Sequence, residues 1–545
     1  MPEPKPRSTA APDSAGKVPG AGRSILGASR SILGATTLVT AIVLVVKGLG
    51  FAEKLLLAYF FGTGLQVDAY LVAYSLPFSA FVVLREVVKP AFLPTFLRVR
   101  RAVEEEGWRL FAVVGTVLAL LLGAATAAGV LLAEPLISLA APGFAGEQRV
   151  LAVKLTRLVM PALLLLGLST LTTAALHAQK RFALPALGEV SFRAGPIVLL
   201  LVAGGVPAMA LGLFLGALGK LAMEAAGLRR HLGRLRPSLD LAFGPVRTVG
   251  RLAAPLLAAL SLSLFVAPLV ENAFASRVGV GGVSALAFAR KIAETLTTIL
   301  PYTLGLVLLP FSAEMAARQD EESLAGMLAG AVRGLTLLFL PVTVGLMVLR
   351  APFVRLLFER GAFTAASTEL TAGPLFFYAL ALLPFSLEVV VIQFFFARQD
   401  TLTPVIVDVL SFAVNVALIP LLIPLWGLGG IALAAAAAKA LKVLALLALF
   451  GWRVPAFRLA ALAPFALKML LAALATGGAL LAFLALGPAP VESQGLVSQA
   501  LYLAAGGAVG GGVFVLAAGL LRVREMGELW QQGRHLVRRR MGRSG

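Results

Sequence analysis

Between residues 36 and 521 the chain repeats one pattern, a run of about twenty or more apolar residues closed by glycine, proline or a cluster of charge. Each run is long enough to cross the hydrocarbon of a bilayer as a helix. They fall at 36–61, 67–96, 109–133, 149–178, 184–203, 206–228, 248–275, 282–313, 325–349, 367–396, 402–424, 427–450, 462–487 and 496–521. The expected fold is therefore an all-α polytopic membrane protein with about fourteen transmembrane helices. Composition agrees: 59% of the 545 residues are hydrophobic and 14% charged, with a mean hydropathy of +0.93. A soluble domain needs about a quarter of its residues charged. A transmembrane barrel needs short alternating segments, which the sequence lacks.

Charge tests the count. With the N-terminus cytoplasmic, about 29 Lys/Arg fall on inside segments and about 5 (Arg149, Arg277, Arg350, Arg355, Arg360) outside. Removing or adding one span scrambles this alternation, so an even number of spans with both termini cytoplasmic is expected. The net charge of +20 then reflects topology, and no nucleic-acid partner is inferred. The chain has no cysteine, and its histidines (His177, His231, His535) lack metal-ligand spacing. Neither a phosphate-binding GxxxxGK[ST] loop nor an HExxH or GxSxG motif occurs, so an enzyme is not expected. Residues 1–35 read as a disordered cytoplasmic segment containing the tandem "RSILGAS"–"RSILGAT". They do not read as a cleavable signal, because the run behind them is too long.

Intramembrane charge marks where function lies, since one charge at the bilayer centre costs at least about 2.5–3.5 kcal/mol. Lys220 with Glu224, and Arg290 with Glu294, stand four apart and are expected to neutralise each other on one helical face. Lys154, Arg333, Lys439 and Lys442 are expected to snorkel to a helix end. The first, second and eighth spans resist that reading. Lys47 and Lys54 share a face two turns apart, as Arg85 and Lys89 do one turn apart, and Arg290 and Lys291 follow in the eighth span. Gly48, Gly50, Pro90 and Pro94 let those helices bend or approach a neighbour. Transporters line a central cavity with bent, charged helices, and an excess of Lys and Arg there suits a phosphate-bearing substrate.

Three stretches carry a family resemblance. "LGF…LLLAYFFGTGLQVDAYLVAYSLP" lies at 49–77 and "GGVSALAFARKIAETLTTILPYTLGLVLLPFSAEMA" at 281–316. The third, from Arg355 to Pro404, contains "LFERGAF" and "FFARQDTLTP". Together they resemble the MurJ/MviN family of lipid II flippases within the MOP exporter superfamily, over roughly residues 36–520. The resemblance implies two six-helix lobes in a V, 36–230 and 248–450, joined by a basic cytoplasmic linker at 231–247. Two further helices at 451–521 and a basic cytoplasmic tail at 522–545 complete the expected chain.

The resemblance further implies alternating access around a cationic cavity for the pyrophosphate of an undecaprenyl-linked saccharide, in the bacterial cytoplasmic membrane. Lys47, Lys54, Arg85, Lys89, Arg290 and Lys291 are the expected substrate-binding cations, and Glu53, Asp68, Glu271 and Asn415 the coupling or gating residues. No cofactor is expected. Either a monovalent cation or the membrane potential would drive transport, and Ile419, one turn after Asn415, offers a cation no ligand. Departures from the family pattern are also plain. Glu53-Lys54 stands where Arg-Asp is expected, Arg290-Lys291 stands where Asp-Arg is expected, and "FSAFVVLREVVKP" replaces a more basic segment. They keep open a flippase for another polyprenyl-pyrophosphate glycan. A cation-coupled drug exporter of the same superfamily would prefer acidic and aromatic residues in its cavity, and a non-transporting scaffold would not retain charges at such cost.

Overall fold

A computed structural model describes residues 21–233, 236–486 and 495–527, and every regular element among them is helical. The first half comprises α1 (Ala21–Phe61), α2 (Leu65–Ala102), α3 (Glu104–Leu131), a short α4 (Ala133–Ala140), α5 (Gly146–Val159), α6 (Pro161–Ala178), α7 (Ala183–Ala203) and α8 (Gly205–Leu232). The second comprises α9 (Gly244–Leu260), α10 (Ala267–Val278), α11 (Gly282–Ala317), α12 (Glu321–Val348), a short α13 (Arg350–Phe358), α14 (Ala365–Leu380), α15 (Leu382–Ala397), α16 (Leu402–Trp426) and α17 (Leu428–Arg453). α18 (Ala463–Leu486) and α19 (Leu496–Leu520) follow.

Among the described residues, thirteen helices, some composed of two elements, are long and apolar enough to cross a membrane. They match thirteen of the expected runs. The remaining run, 36–61, lies in α1, outside those thirteen. That helix begins at Ala21 rather than near 36, correcting the expectation of disorder for 21–35. Its sequence has no proline between Pro19 and Pro77 to stop it. Residues 1–20 and 528–545 lie outside the described residues.

Three expected spans are bent. The run 149–178 breaks at Met160, where Pro161 opens α6, and 367–396 breaks at Ala381, shortly before Pro384. The run 248–275 contains a π-helical segment, Ser261–Val266, between α9 and α10. In both halves a long span is followed by a short helix and then a broken span: α3, α4, α5–α6 and α12, α13, α14–α15. Such an internal repeat is a common build for membrane transporters.

Packing is mostly within each half. α7 lies on α8 and α6 on both α2 and α8, while α16 pairs with α17 and α11 with α14 and α15. α18 and α19 pair with each other and lean on α12. The α7–α8 crossing is a close approach: a Cβ on Gly195 would stand 2.2 Å from the Gly212 carbonyl oxygen, and one on Gly212 2.4 Å from that of Gly195. Only glycine allows two backbones so near. Outward faces are apolar, with Leu121 63%, Leu421 65% and Leu474 65% exposed, a surface suited to lipid rather than water.

Candidate functional site

The two halves are stitched together where α1 ends and α2 begins. Asp68, fully buried in the first turn of α2, accepts the backbone N–H groups of Gly281 (2.6 Å) and Ser284 (2.8 Å) and the Gln148 amide (3.4 Å). Its carboxylate thus caps the N-terminus of α11, where unpaired amides and the helix dipole favour an anion. The expected gating residue is a tie between halves. Around it, Thr63 Oγ1 donates to Ser367 Oγ at 2.7 Å, Asn272 to Ser75 at 3.0 Å, and the Gly143 N–H to Ser276 at 3.1 Å.

The "LFERGAF" stretch has its explanation here. The Ala362 N–H donates to the Tyr59 carbonyl at 2.8 Å. Gly361 (φ 61°) and Gly62 (φ 63°) face this contact so closely that a Cβ on either would meet main chain at 2.3 Å. Phe358 and Phe363 pack on Phe288 of α11, with ring centroids at 5.1 and 5.8 Å. The "ARQDTLTP" stretch is structural as well: Asp400 accepts the Thr403 N–H at 3.0 Å, capping α16, and pairs with Arg453.

Deeper in the bundle lies the charged centre. Glu53, 2% exposed at its side chain, is held by Lys54 at 3.2 Å and by Arg193 of α7 at 3.8 Å. Arg193 also donates to the Tyr74 hydroxyl at 3.4 Å and stacks over Phe78, while Lys54 sits 5.5 Å from the Tyr74 ring. Lys291 faces this group from α11. It makes no ion pair among the described residues, and Glu294, Lys54, Arg193 and Lys47 all act on it electrostatically. Lys47 is exposed on α1. Lys291 of the second half thus lies within electrostatic range of Lys47, Lys54 and Arg193 of the first.

The six candidate cations are not all in one place. Lys47, Lys54 and Lys291 belong to the seam. Arg85, paired with Glu86 at 3.1 Å, and Lys89 line a separate cavity inside the first half. Arg290 is taken up by the buried Glu271 of α10 and lies 3.8 Å from Glu294. Asn415 is buried with its Oδ1 unpartnered, and Ile419 is fully buried. A coupling cation needs several oxygen ligands. With a guanidinium already on Glu271 and an apolar side chain beyond Asn415, this donor set does not fit one.

Sequence reading passed over several functional groups. Arg193 was visible only as one more intramembrane charge; its partner Glu53 is 140 positions away. Lys220 binds Glu224 at 2.8 Å as the spacing predicts, but also Glu189 at 3.1 Å. Lys439 and Lys442 do not snorkel: both bind Glu388, and Lys442 also binds Asp408, inside the second half. Arg333 pairs with Glu525 at 3.1 Å, beyond the end of α19.

A helical bundle of two similarly built halves, with charged side chains buried between its helices, is the build of a membrane transporter. A solved structure described as "Lipid II flippase MurJ, inward closed conformation" matches with a TM-score of 0.71 at 20% identity, covering 89% of this chain and 98% of that one. An inward-facing multidrug resistance MATE family transporter of the MOP superfamily matches at 0.63 and 16%, covering 76% and 94%. The sequence profile of the family "Lipid II flippase MurJ" matches residues 57–490. The chain is 26% identical to the lipid II flippase MurJ of Burkholderia cenocepacia, over 73% of this chain and 79% of that protein. It is 31% identical to the probable lipid II flippase MurJ of Rhizobium meliloti, over 71% and 74%. The chain belongs to the MurJ family.

Proposed function

We propose that this protein moves lipid II, the undecaprenyl-pyrophosphate-linked peptidoglycan precursor, from the inner to the outer leaflet of the bacterial cytoplasmic membrane by alternating access. One observation carries the reading: Lys291 of the second half, without an ion-pair partner among the described residues, lies within electrostatic range of Lys47, Lys54 and Arg193 of the first. Counted with Arg290, these five cations outnumber the carboxylates that act on them, Glu53, Glu189, Glu271 and Glu294. An anionic diphosphate diester suits that positive excess, and bringing it in draws the halves together. Arg193 contributes the planar fork that lysine lacks. The headgroup leaves water for these charged groups while the polyprenyl tail stays in lipid.

The positive-inside bias places both termini, and the start of α11, so that the Asp68 seam closes the outer side. The two halves then act as the lobes of the transporter, with α1 supplying the fourteenth span. Because the Glu271 donor set is filled by Arg290, the energy source best supported is the membrane potential acting on the seam's excess charge, worth about 2.3 kcal/mol per charge per 100 mV. An organic-cation exporter is disfavoured by the same excess.

The test is rescue of cells depleted of their flippase, with accumulated lipid precursors identified by mass spectrometry. Lys291→Met and Lys54→Met, expressed at wild-type level, are expected to fail and to accumulate lipid II. Full rescue by both overturns the assignment.

A further inference from the structure

The first half contains a cavity of 330 Å³, lined by Arg85 and Lys89. It lies between α2, α6, α7 and α8, with Val43 of α1 in its wall, and its size is that of a small-molecule site. Phe81, Phe182 and Pro185 supply apolar walls.

Its charges are unevenly matched. Glu189 is bound by Lys220 at 3.1 Å, and Glu224 behind it accepts from Lys220 (2.8 Å), Thr172 (2.5 Å) and Thr173 (2.9 Å). Arg85 has Glu86. Lys89, exposed at the cavity's edge, has no ion-pair partner among the described residues, and it shares the cavity with the His177 ring, on which it and Lys220 both act. One ammonium without an ion pair beside an imidazole, in a largely apolar cavity, is a seat for a single negative charge carried on an organic group.

The cavity adjoins the charged seam. On α7, Glu189 stands one turn from Arg193 and acts on it. On α2, a ladder of rings leads from one to the other, Tyr74 to Phe78 at 4.7 Å and Phe78 to Phe81 at 6.1 Å, before Arg85 and Lys89. α2 and α7 therefore both run from the seam to this cavity.

We propose that the cavity is a second anion subsite, in which Lys89 and His177 receive a carboxylate of the peptide borne by the lipid-linked headgroup. This rests on the lipid II reading and adds to it a determinant of specificity. A carboxylate matches the single unpaired cation, and the apolar walls match amino-acid side chains.

The experiment uses the full chain in proteoliposomes of neutral phosphatidylcholine, with and without added phosphatidylglycerol. Two probes are compared: lipid II with its complete peptide, and the same lipid-linked disaccharide with the peptide removed. Wild type is expected to prefer the complete substrate. Lys89→Met should cut that preference about tenfold, the loss of one charge-assisted hydrogen bond, and Lys89→Arg should restore most of it. Equal losses on both probes would put Lys89 on the diphosphate and overturn the subsite while the flippase reading stands. An effect seen only with phosphatidylglycerol would put a phospholipid phosphate in the cavity and overturn it too. Transport of neither probe by wild type would remove the lipid II reading and the subsite with it.

Discussion

Replacing Asp68 with alanine removes the carboxylate that joins α2 to the start of α11. Two charge-assisted hydrogen bonds to Gly281 and Ser284 are lost, each worth about 1.5–3 kcal/mol. The freed amides lie in the first turn of α11 and regain water once the seam opens, so the low end of the sum, about 3 kcal/mol, is the better figure for the shift toward the open seam. That corresponds to a change of about 150-fold in the equilibrium between sealed and open forms. The chain has no cysteine, so a reporter pair can be placed without first clearing the background. Thr63→Cys with Ser367→Cys replaces two hydroxyls that stand 2.7 Å apart, within reach of a disulfide after a small adjustment. In membranes the initial rate of cross-linking is expected to be high with Asp68 present, to fall by at least half in Asp68→Ala, and to be intermediate in Asp68→Asn, which keeps one acceptor. An unchanged rate in Asp68→Ala, with an unchanged melting temperature, would refute the view that this carboxylate holds the seam.

Arg290→Gln should lower stability by about 3 kcal/mol, read by thermal denaturation in detergent, because it leaves Glu271 buried and unpaired. The low end of the range applies since 32% of the Arg290 side chain is exposed, and the double variant Arg290→Gln/Glu271→Gln should lose less than the sum of the two singles. Gly212→Val drives a side chain into the Gly195 backbone and should cost about 3 kcal/mol or more, whereas Gly48→Ala, with open space around it, should cost almost nothing in the same assay.

The spans were legible because a bilayer allows little else: backbone groups in hydrocarbon must pair within their own helix, so length and hydropathy decide. Bends were less legible: Pro90 and Pro94 stand out as bend sites, yet α2 is continuous through both, while the breaks at Pro161 and at Ser261–Val266 lie inside runs that read as single spans. Local ion pairs could be read from spacing, as Lys220 with Glu224 shows. Distant ones could not. Nothing in the chain announces that Arg193 reaches Glu53, or that Lys442 reaches Glu388 and Asp408, because those meetings are set by how helices pack and not by periodicity. For the same reason Arg290, adjacent to Lys291 in sequence, has a different role: neighbouring residues on a helix point about 100° apart, and one finds a carboxylate while the other faces the seam.

The seam between the halves is held largely by main-chain atoms, through the amides of Gly281, Ser284, Gly143 and Ala362 and the carbonyl of Tyr59. Such a clasp asks of side-chain identity an aspartate, an asparagine, four small hydroxyl residues and a pair of glycines. Mutation can therefore rewrite the surrounding surface over long lineages without unfastening it, and a structural counterpart sharing only a fifth of its residues can retain the same arrangement of helices.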